Sequence, residues 1–177
     1  MTEKDFNSLE SKEEIETTIE EKVPSIATLF KSSKWQEKVE GYEKLSEWLF
    51  NEGIPLDWLE HTIRYCKIQQ KEWKESNANI VKAFIQFMLK SFGSAFKVGQ
   101  RSANIVIPFL SDKIGDTKYT SGCQEIILIL GEKLTPAFVI KGISKQGISA
   151  TNPKVIEQIA VTIEKILGEF GPVGFPL

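Results

Sequence analysis

Four short polar turns recur at a nearly constant interval along this chain of 177 residues. Each turn separates two stretches whose apolar residues repeat at the i, i+3, i+4 spacing of an amphipathic α-helix. The markers of the four turns are Trp35, Ser76, Thr117 and Pro153, at successive intervals of 41, 41 and 36 residues. No stretch carries a strand pattern, because every short apolar run is embedded in a longer helical one. The sequence therefore predicts an all-α protein.

A helix–turn–helix unit of about 40 residues is typical of HEAT and armadillo arrays. One such pair cannot bury its apolar stripe alone, so neighbouring pairs stack into an α-solenoid whose turns lie along one edge. We predict an α-solenoid of about four HEAT-type repeats, forming one domain over residues 13–177 after a polar tail or linker at 1–12. The loops of the edge are expected at Trp35, 75–79, 116–118 and 152–154. A row of short, rigid loops is suited to binding.

Prolines and capping residues indicate where helices begin and end. Pro24 is expected to kink or divide the first helical stretch, and Pro108 to bend or divide the fifth. Thr135-Pro136 and Asn152-Pro153 each place an N-cap residue before a proline at the first helical position. These two pairs predict the starts of the last two helices.

The charge pattern argues against two classes of partner. The net charge is -2, from 22 basic and 24 acidic residues. Residues 1–22 hold three lysines and eight acidic residues, which leaves the remainder at +3. That excess is too small for a nucleic-acid interface, and no apolar run approaches the roughly 20 residues of a membrane helix. With no signal-peptide pattern at the start, we expect a cytoplasmic protein without nucleic-acid or membrane partners.

The cysteines and the one histidine do not form a catalytic pattern. Cys66 and Cys123 fall at apolar helical positions, so we expect reduced thiols that pack as small hydrophobes; a disulfide or redox role is the alternative. His61 is expected to be a surface or half-buried helix residue rather than a base. No nucleophile motif, zinc-ligand cluster or phosphate-binding glycine loop is present. We predict no enzyme, no catalytic residue, no cofactor and no metal.

Several side chains in the turns have two interpretations. Trp35 lies in the first turn of a helix, after the candidate N-cap Ser33, and it either staples the turn down or is exposed as an anchor for a partner. The repeat favours the exposed anchor. Trp73 is equally compatible with the core and with a contact surface. Lys118 and Lys154 are either ordinary solvated lysines or members of a shared binding edge.

Four strings in order carry a resemblance to a known family: SSKWQEKVEGYEKL, KEWKESNANIV, SDKIGDTKYTSG and TNPKV with a closing EFG. Together they resemble the TOG domain, the tubulin-binding HEAT array of the ch-TOG and Dis-type microtubule polymerases and, more distantly, of the CLASP proteins. The resemblance covers roughly residues 20–175, and Gly41 with the KEWKES and DKIGD turns is most similar to a third TOG domain. TOG domains generally have more repeats, so we expect a fragment that lacks later ones.

The resemblance implies a function and a set of contact residues. Its first loop would insert an aromatic residue against β-tubulin, with hydrogen bonds from the second loop and cations from the third and fourth. By position, the tubulin-binding residues would be Trp35, Lys34, Ser76, Asn77, Asn79, Lys118 and Lys154. The implied protein is a non-enzymatic αβ-tubulin-binding module of a microtubule polymerase that regulates microtubule dynamics.

The resemblance also implies a place in the cell, namely the cytoskeleton at microtubule plus ends, spindle poles or the centrosome. The expected partners are αβ-tubulin and neighbouring TOG domains of the same polypeptide, and we expect the chain to be a monomer. The alternative is a structural HEAT scaffold that docks another protein or a neighbouring domain without binding tubulin.

Overall fold

The computed structural model describes residues 11–51, 56–94 and 97–171, and all regular structure in these ranges is α-helical. Its helices are α1 (Lys12–Lys22), α2 (Pro24–Lys31), α3 (Trp35–Phe50), α4 (Leu56–Gln69), α5 (Ala78–Gly93), α6 (Gln100–Lys113), α7 (Thr120–Lys133), α8 (Pro136–Ser149) and α9 (Pro153–Phe170). The predicted all-α class is confirmed. Consecutive helices joined by short turns are consistent with a HEAT-type α-solenoid.

The chain divides into two compact units, one ending at Ser91 and the other beginning at Phe92. The first unit contains the two turns before α3 and α5, and the second contains the turns before α7 and α9. The single domain expected over 13–177 stays a prediction. Of the expected tail at 1–12, residues 1–10 lie outside the described ranges, while Ser11 and Lys12 already belong to the start of α1.

Local capping signals determine where the first two helices begin and end. Ser11 Oγ accepts a hydrogen bond from the Glu14 N–H at 3.2 Å, and Glu14 Oε2 accepts one from the Ser11 N–H at 2.6 Å. This reciprocal capping box satisfies two backbone donors that a helix start otherwise leaves unpaired. The helix ends at Lys22, and Pro24 occupies the first position of α2. Pro24 therefore divides the stretch, which is one of the two predicted outcomes.

Aromatic rings join the helices of the first unit. The ring centroid of Phe30 on α2 lies 4.8 Å from that of Tyr42 on α3 and 5.5 Å from that of Tyr65 on α4, both edge to face. Tyr42 also lies 5.7 Å from Phe84 on α5. Gly41 allows α2 and α3 to approach, because a Cβ there would lie 3.2 Å from the Phe30 ring. All four rings are buried, so this cluster is the core of the unit.

The second unit is built from α6, α7, α8 and α9, and α8 packs against each of the other three. One face of α7 is buried at Cys123, Ile126, Ile127 and Leu130, whereas Leu134 is half-buried after the helix ends. Of the two outcomes expected at Pro108, division of the helix is excluded, since α6 continues through it to Lys113, and a bend stays a prediction. Burial of α6 on several sides outweighs the cost of about 3 kcal/mol that an interior proline carries.

Both predicted cap-and-proline pairs are confirmed. Thr135 Oγ1 accepts a hydrogen bond from the Phe138 N–H at 3.2 Å, and Pro136 opens α8. Asn152 Oδ1 accepts one from the Lys154 N–H at 3.0 Å, and Pro153 opens α9. The side-chain cap satisfies a free backbone donor, and the fixed φ of proline is already helical.

Cys66 and Cys123 are free, buried thiols, as predicted. Burial raises the pKa of Cys66 well above its ordinary value and the pKa of Cys123 to about 12. Both sulfurs are therefore protonated and packed as apolar groups near neutral pH. His61 is half-buried on α4, which also agrees with the prediction. None of the helices in the described ranges has the length and apolar character needed to cross a membrane.

Candidate protein-binding site

The first loop joins α2 to α3 and determines how Trp35 is presented. Ser32 Oγ accepts a hydrogen bond from the Lys34 N–H at 3.1 Å, and the Lys34 ammonium pairs with Glu37 at 3.0 Å. The predicted N-cap at Ser33 is wrong: Lys34 occupies that position, and no side chain within the described ranges caps α3 there. Ser32, one residue before the predicted cap, accepts the hydrogen bond that stabilises the turn. The helix begins at Trp35.

Trp35 is 40% exposed, which agrees with the exposed interpretation and not with a buried staple. Trp35 lies seven residues before Tyr42 and so on the same face of α3, but it stands at the first position of the helix and is not among its buried residues. A large aromatic side chain that is exposed at the N-terminus of a helix is available to bind a partner. Its contact with tubulin stays a prediction.

The ring of Trp35 lines one end of an open groove of about 380 Å³ between α3 and α5. We name it the α3–α5 groove, and its walls are formed by Trp35, Val39, Tyr42, Glu43 and Ser46 of α3 and by Asn79, Lys82, Ala83, Gln86, Phe87 and Lys90 of α5. The groove brings together two of the predicted site residues, Trp35 from the first loop region and Asn79 from the second. Both lie in the first unit.

The second loop connects α4 to α5 through an unusual backbone. Lys71, Glu72 and Trp73 have φ values of 52°, 55° and 72°, so three successive residues with side chains are left-handed. Each costs roughly 1–2 kcal/mol relative to ordinary backbone. Strain of this size persists only where surrounding contacts hold it, and such segments are often functional.

Contacts on several sides hold this left-handed turn. The Trp73 ring stacks on Phe84 with centroids 5.3 Å apart, and Gln70 Nε2 donates to the Tyr42 hydroxyl at 2.9 Å. Glu72 pairs with Lys12 of α1 at 2.9 Å and with Lys67 of α4 at 3.6 Å. Trp73, for which both interpretations were open, is half-buried and packed on the core of the first unit.

Glu75 organises the end of the second loop from within. Its side chain is only 4% exposed, and Oε1 accepts hydrogen bonds from the Ser76 N–H at 2.8 Å and the Asn77 N–H at 2.9 Å. The Lys71 ammonium lies 3.1 Å from its other oxygen. Burial by itself raises the pKa of Glu75, but the Asn77 N–H, Lys71 and the Ser76 N–H outweigh it, and the pKa is lowered. Glu75 is therefore ionised at neutral pH and holds the loop in one shape.

The three predicted contact residues of the second loop have different environments. Asn77 Oδ1 accepts hydrogen bonds from the Asn79 N–H at 3.0 Å and the Ile80 N–H at 3.4 Å, so it caps α5. Ser76 and Asn79 are exposed. The oxygen of Asn77 therefore has a structural role, whereas Ser76 and Asn79 present polar groups to solvent.

In the second unit, the third loop presents Lys118 and the fourth leads to Lys154. The Lys118 N–H donates to Asp116 Oδ1 at 3.0 Å, and the Thr120 hydroxyl donates to the Ile114 carbonyl at 2.8 Å. Lys118 and Lys154 are both exposed, and Lys154 is the second residue of α9. Both ammonium groups are thus available at the surface of this unit.

Gly115 brings the third loop against the start of α9. A Cβ at Gly115 would lie 2.7 Å from Val155 Cγ2 and 3.1 Å from the Val155 backbone nitrogen. Because Val155 directly follows Lys154, the third loop with Lys118 and the start of α9 with Lys154 are neighbours in the second unit. The single row of all four loops stays a prediction.

Two features of the site were missed by reasoning from the sequence. The first is the polar face of α5 beside the second loop. Its signal in the sequence was the spacing of four residues between Lys82, Gln86 and Lys90. Glu75 gave no such signal, because its role depends on the loop geometry. Among the residues that the structure describes, no group of three or more His, Cys, Asp or Glu side chains could hold a metal ion.

Comparison with known proteins gives distant relatives. No model of a known protein family matches the sequence, and neither does any solved structure. The chain is 24% identical over 161 residues to Protein MOR1 of Arabidopsis thaliana, covering 90% of the chain and 8% of that protein. It is 22% identical over 143 residues to Centrosomal protein 224 of Dictyostelium discoideum, covering 78% of the chain and 7% of that protein.

The chain resembles a small part of two long proteins. It spans less than a tenth of the length of either relative. What these proteins do as a whole therefore bears on this chain only as a proposal.

Proposed function

We propose that this chain is a non-enzymatic tubulin-binding module of a microtubule-associated protein. It binds αβ-tubulin through the loops before α3, α5, α7 and α9, and it makes and breaks no covalent bond. The proposal is supported by the TOG-like strings in those four turns and by the distant similarity to Protein MOR1 and Centrosomal protein 224. Its expected location is the cytoskeleton, at microtubule plus ends, spindle poles or the centrosome.

The observation that carries the proposal is the exposed ring of Trp35 at the end of the α3–α5 groove. The polar side chain of Asn79 lines the same groove, and Lys34 precedes Trp35 in the first loop. An aromatic anchor surrounded by polar and cationic groups is the usual composition of a protein–protein hot spot. The left-handed second loop, held by Glu75, presents Ser76 and Asn79 with little freedom to rearrange, which limits the entropy lost on binding.

The second unit supports the proposal through its charge. Lys118 is exposed on the third loop and Lys154 at the neighbouring start of α9, and cations suit the acidic surface of tubulin. Such surface charges contribute more to the association rate and to orientation than to affinity. We therefore assign the anchor to the first unit and electrostatic guidance to the second.

Titration of labelled αβ-tubulin with the chain, followed by fluorescence anisotropy, tests the proposal. Trp35→Ala should weaken binding about 30-fold, which corresponds to about 2 kcal/mol for a lost aromatic hot spot. The matched control is Phe50→Ala, an exposed aromatic at the other end of α3 and about 22 Å away along its axis. Its affinity for tubulin should be unchanged.

Two outcomes would contradict the proposal at different levels. Equal affinities of the Trp35 variant and the unmodified chain would remove Trp35 from the interface. Absence of binding by the unmodified, folded chain would reject tubulin as its partner. That result would favour the alternative of a HEAT scaffold that docks another protein, for which the α3–α5 groove is the structural support.

A further inference from the structure

We propose that the α3–α5 groove is a docking site for an extended acidic segment of a partner protein, in which two carboxylates flank one apolar side chain. The groove shares Trp35 and Asn79 with the contacts proposed for tubulin, but the inference rests on other residues and does not depend on tubulin binding. It follows from the length and the charge of the groove.

The dimensions of the groove fit an extended chain. Its walls run from Trp35 to Ser46 on α3 and from Asn79 to Lys90 on α5, each about 16 Å at 1.5 Å per residue. About five extended residues at 3.3 Å each match this length.

Two lysines line the α5 wall and have no ion-pair partner among the described residues. They are Lys82 and Lys90, whereas Lys34, Lys44 and Lys71 of the same unit pair with carboxylates at 2.7–3.1 Å. Eight residues of helix place the two about 12 Å apart along the axis. In an extended chain, side chains at i and i+4 lie on one face about 13 Å apart, so two carboxylates at that spacing can meet both lysines.

The opposite wall determines the orientation of the segment. Of the residues that line the α3 wall, Glu43 carries a carboxylate. Its negative charge repels an acidic side chain of the segment on the α3 side. Gln86 lies between the two lysines in sequence and can hydrogen-bond the backbone of the segment. An acidic chain therefore places its carboxylates towards α5.

The floor of the groove accepts the central side chain of the segment. Val39 and Ala83 are half-buried, and Tyr42 and Phe87 lie buried beneath the groove. The side chain at i+2 points to the same side as those at i and i+4, towards α5, where Ala83 and Phe87 offer it apolar contacts between the two lysines. Two lysines are too few for a nucleic-acid backbone, which favours a peptide as the occupant.

A labelled peptide with the sequence Glu-Thr-Phe-Thr-Glu is the probe for this site, and Gln-Thr-Phe-Thr-Gln is its uncharged control. Anisotropy titrations should show that the chain binds the acidic peptide and that higher ionic strength weakens binding. The double variant Lys82→Gln/Lys90→Gln should bind about fivefold or more weakly. The matched variant is Lys44→Gln, because Lys44 lies outside the groove on the same unit, and it should leave binding unchanged.

The proposal is overturned if the folded chain does not bind the acidic peptide, if both peptides bind equally, or if the double variant binds as the unmodified chain does. Circular dichroism of the variants checks that they remain folded. Tubulin binding without peptide binding rejects this inference alone. Peptide binding without tubulin binding rejects the proposed function alone.

Discussion

Gly115 lies directly against Val155, so closely that a Cβ on Gly115 would be 2.7 Å from Val155 Cγ2. The same Cβ would also be 3.1 Å from the Val155 backbone nitrogen, which a change of rotamer cannot relieve. Glycine is therefore required here for space. The contact holds the third loop against the first turn of α9. It therefore also helps to position Lys118 of that loop and Lys154 of that turn.

Gly115→Ala should destabilise the protein by about 1–3 kcal/mol, because the added methyl group overpacks the contact with Val155. Urea denaturation followed by circular dichroism measures this change. The control is Gly168→Ala in α9, where a Cβ meets nothing within 4 Å and alanine is the better helix former. That substitution should stabilise the protein by about 0.5–1 kcal/mol. Equal effects of the two substitutions would contradict the assigned role of Gly115.

Removing the hydroxyl from Tyr42 and from Tyr65 should have different effects on stability. The Tyr42 hydroxyl accepts a hydrogen bond from Gln70 at 2.9 Å, so Tyr42→Phe should cost about 1 kcal/mol. The buried Tyr65 hydroxyl has no hydrogen-bond partner in the described part of the chain, so Tyr65→Phe should be neutral or stabilising. Urea midpoints compare the two variants, and an equal loss in both would show that Tyr65 has a partner.

Glu75 should make stability depend on pH in acid. Its folded-state pKa lies below its ordinary value of 4.5, so the ionised carboxylate stabilises the fold fully above about pH 4.5. That contribution is lost as the pH falls through the folded-state pKa. Unfolding free energies of the unmodified chain and of Glu75→Gln should therefore converge in acid and differ at neutral pH. A difference that is the same at every pH would show that the charge of Glu75 is not involved.

Trp35→Ala should leave the fold nearly intact, with a loss of no more than about 1 kcal/mol, because the ring is exposed at the first position of α3. Phe84→Ala provides the contrast, since Phe84 is fully buried in the aromatic core and its truncation should cost about 3–5 kcal/mol. Thermal unfolding of both variants checks this. If Trp35→Ala lowered the stability by much more than this, weaker tubulin binding by the variant would be a result of unfolding and not of a lost contact.

Lys118→Gln and Lys154→Gln should weaken tubulin binding modestly, by about two- to fivefold each, mostly through a slower association rate. Their effects should shrink at high ionic strength, because exposed charges are screened there. Stopped-flow association at two salt concentrations measures both quantities. A loss that does not change with salt would show that the lysines act by packing.

Much of the helical architecture was predictable from local signals. Pro24, Thr135-Pro136 and Asn152-Pro153 determine helix boundaries through contacts within a few residues, so their effects are visible in sequence. The sequence did not decide between a bend and a break at Pro108, because its helix is retained by burial against other helices, which no local pattern reports. Ser33 was misjudged because Ser32 and Lys34 form a competing arrangement in the same turn.

The candidate site was predictable only in part. The turns at Trp35 and at Ser76 to Asn79 stood out by repetition, and the groove between α3 and α5 brings Trp35 and Asn79 together. Lys82 and Lys90 were overlooked because lysines on a helix face are ordinarily solvated, and their meaning depends on what lies opposite. The same holds for Glu75, whose partners are backbone groups of its own loop.

By itself, the sequence determined the all-α class, the four turns and most helix ends, because these follow from periodicity and from contacts between near neighbours. The tertiary structure decided that Trp35 is exposed while Trp73 packs on Phe84, although both are tryptophans beside polar turns. Trp73 lies in a left-handed turn with its ring stacked on Phe84, whereas Trp35 stands at the first position of α3, before the buried part of that helix. Exposure depends on what packs against a side chain, and that is a property of the folded chain.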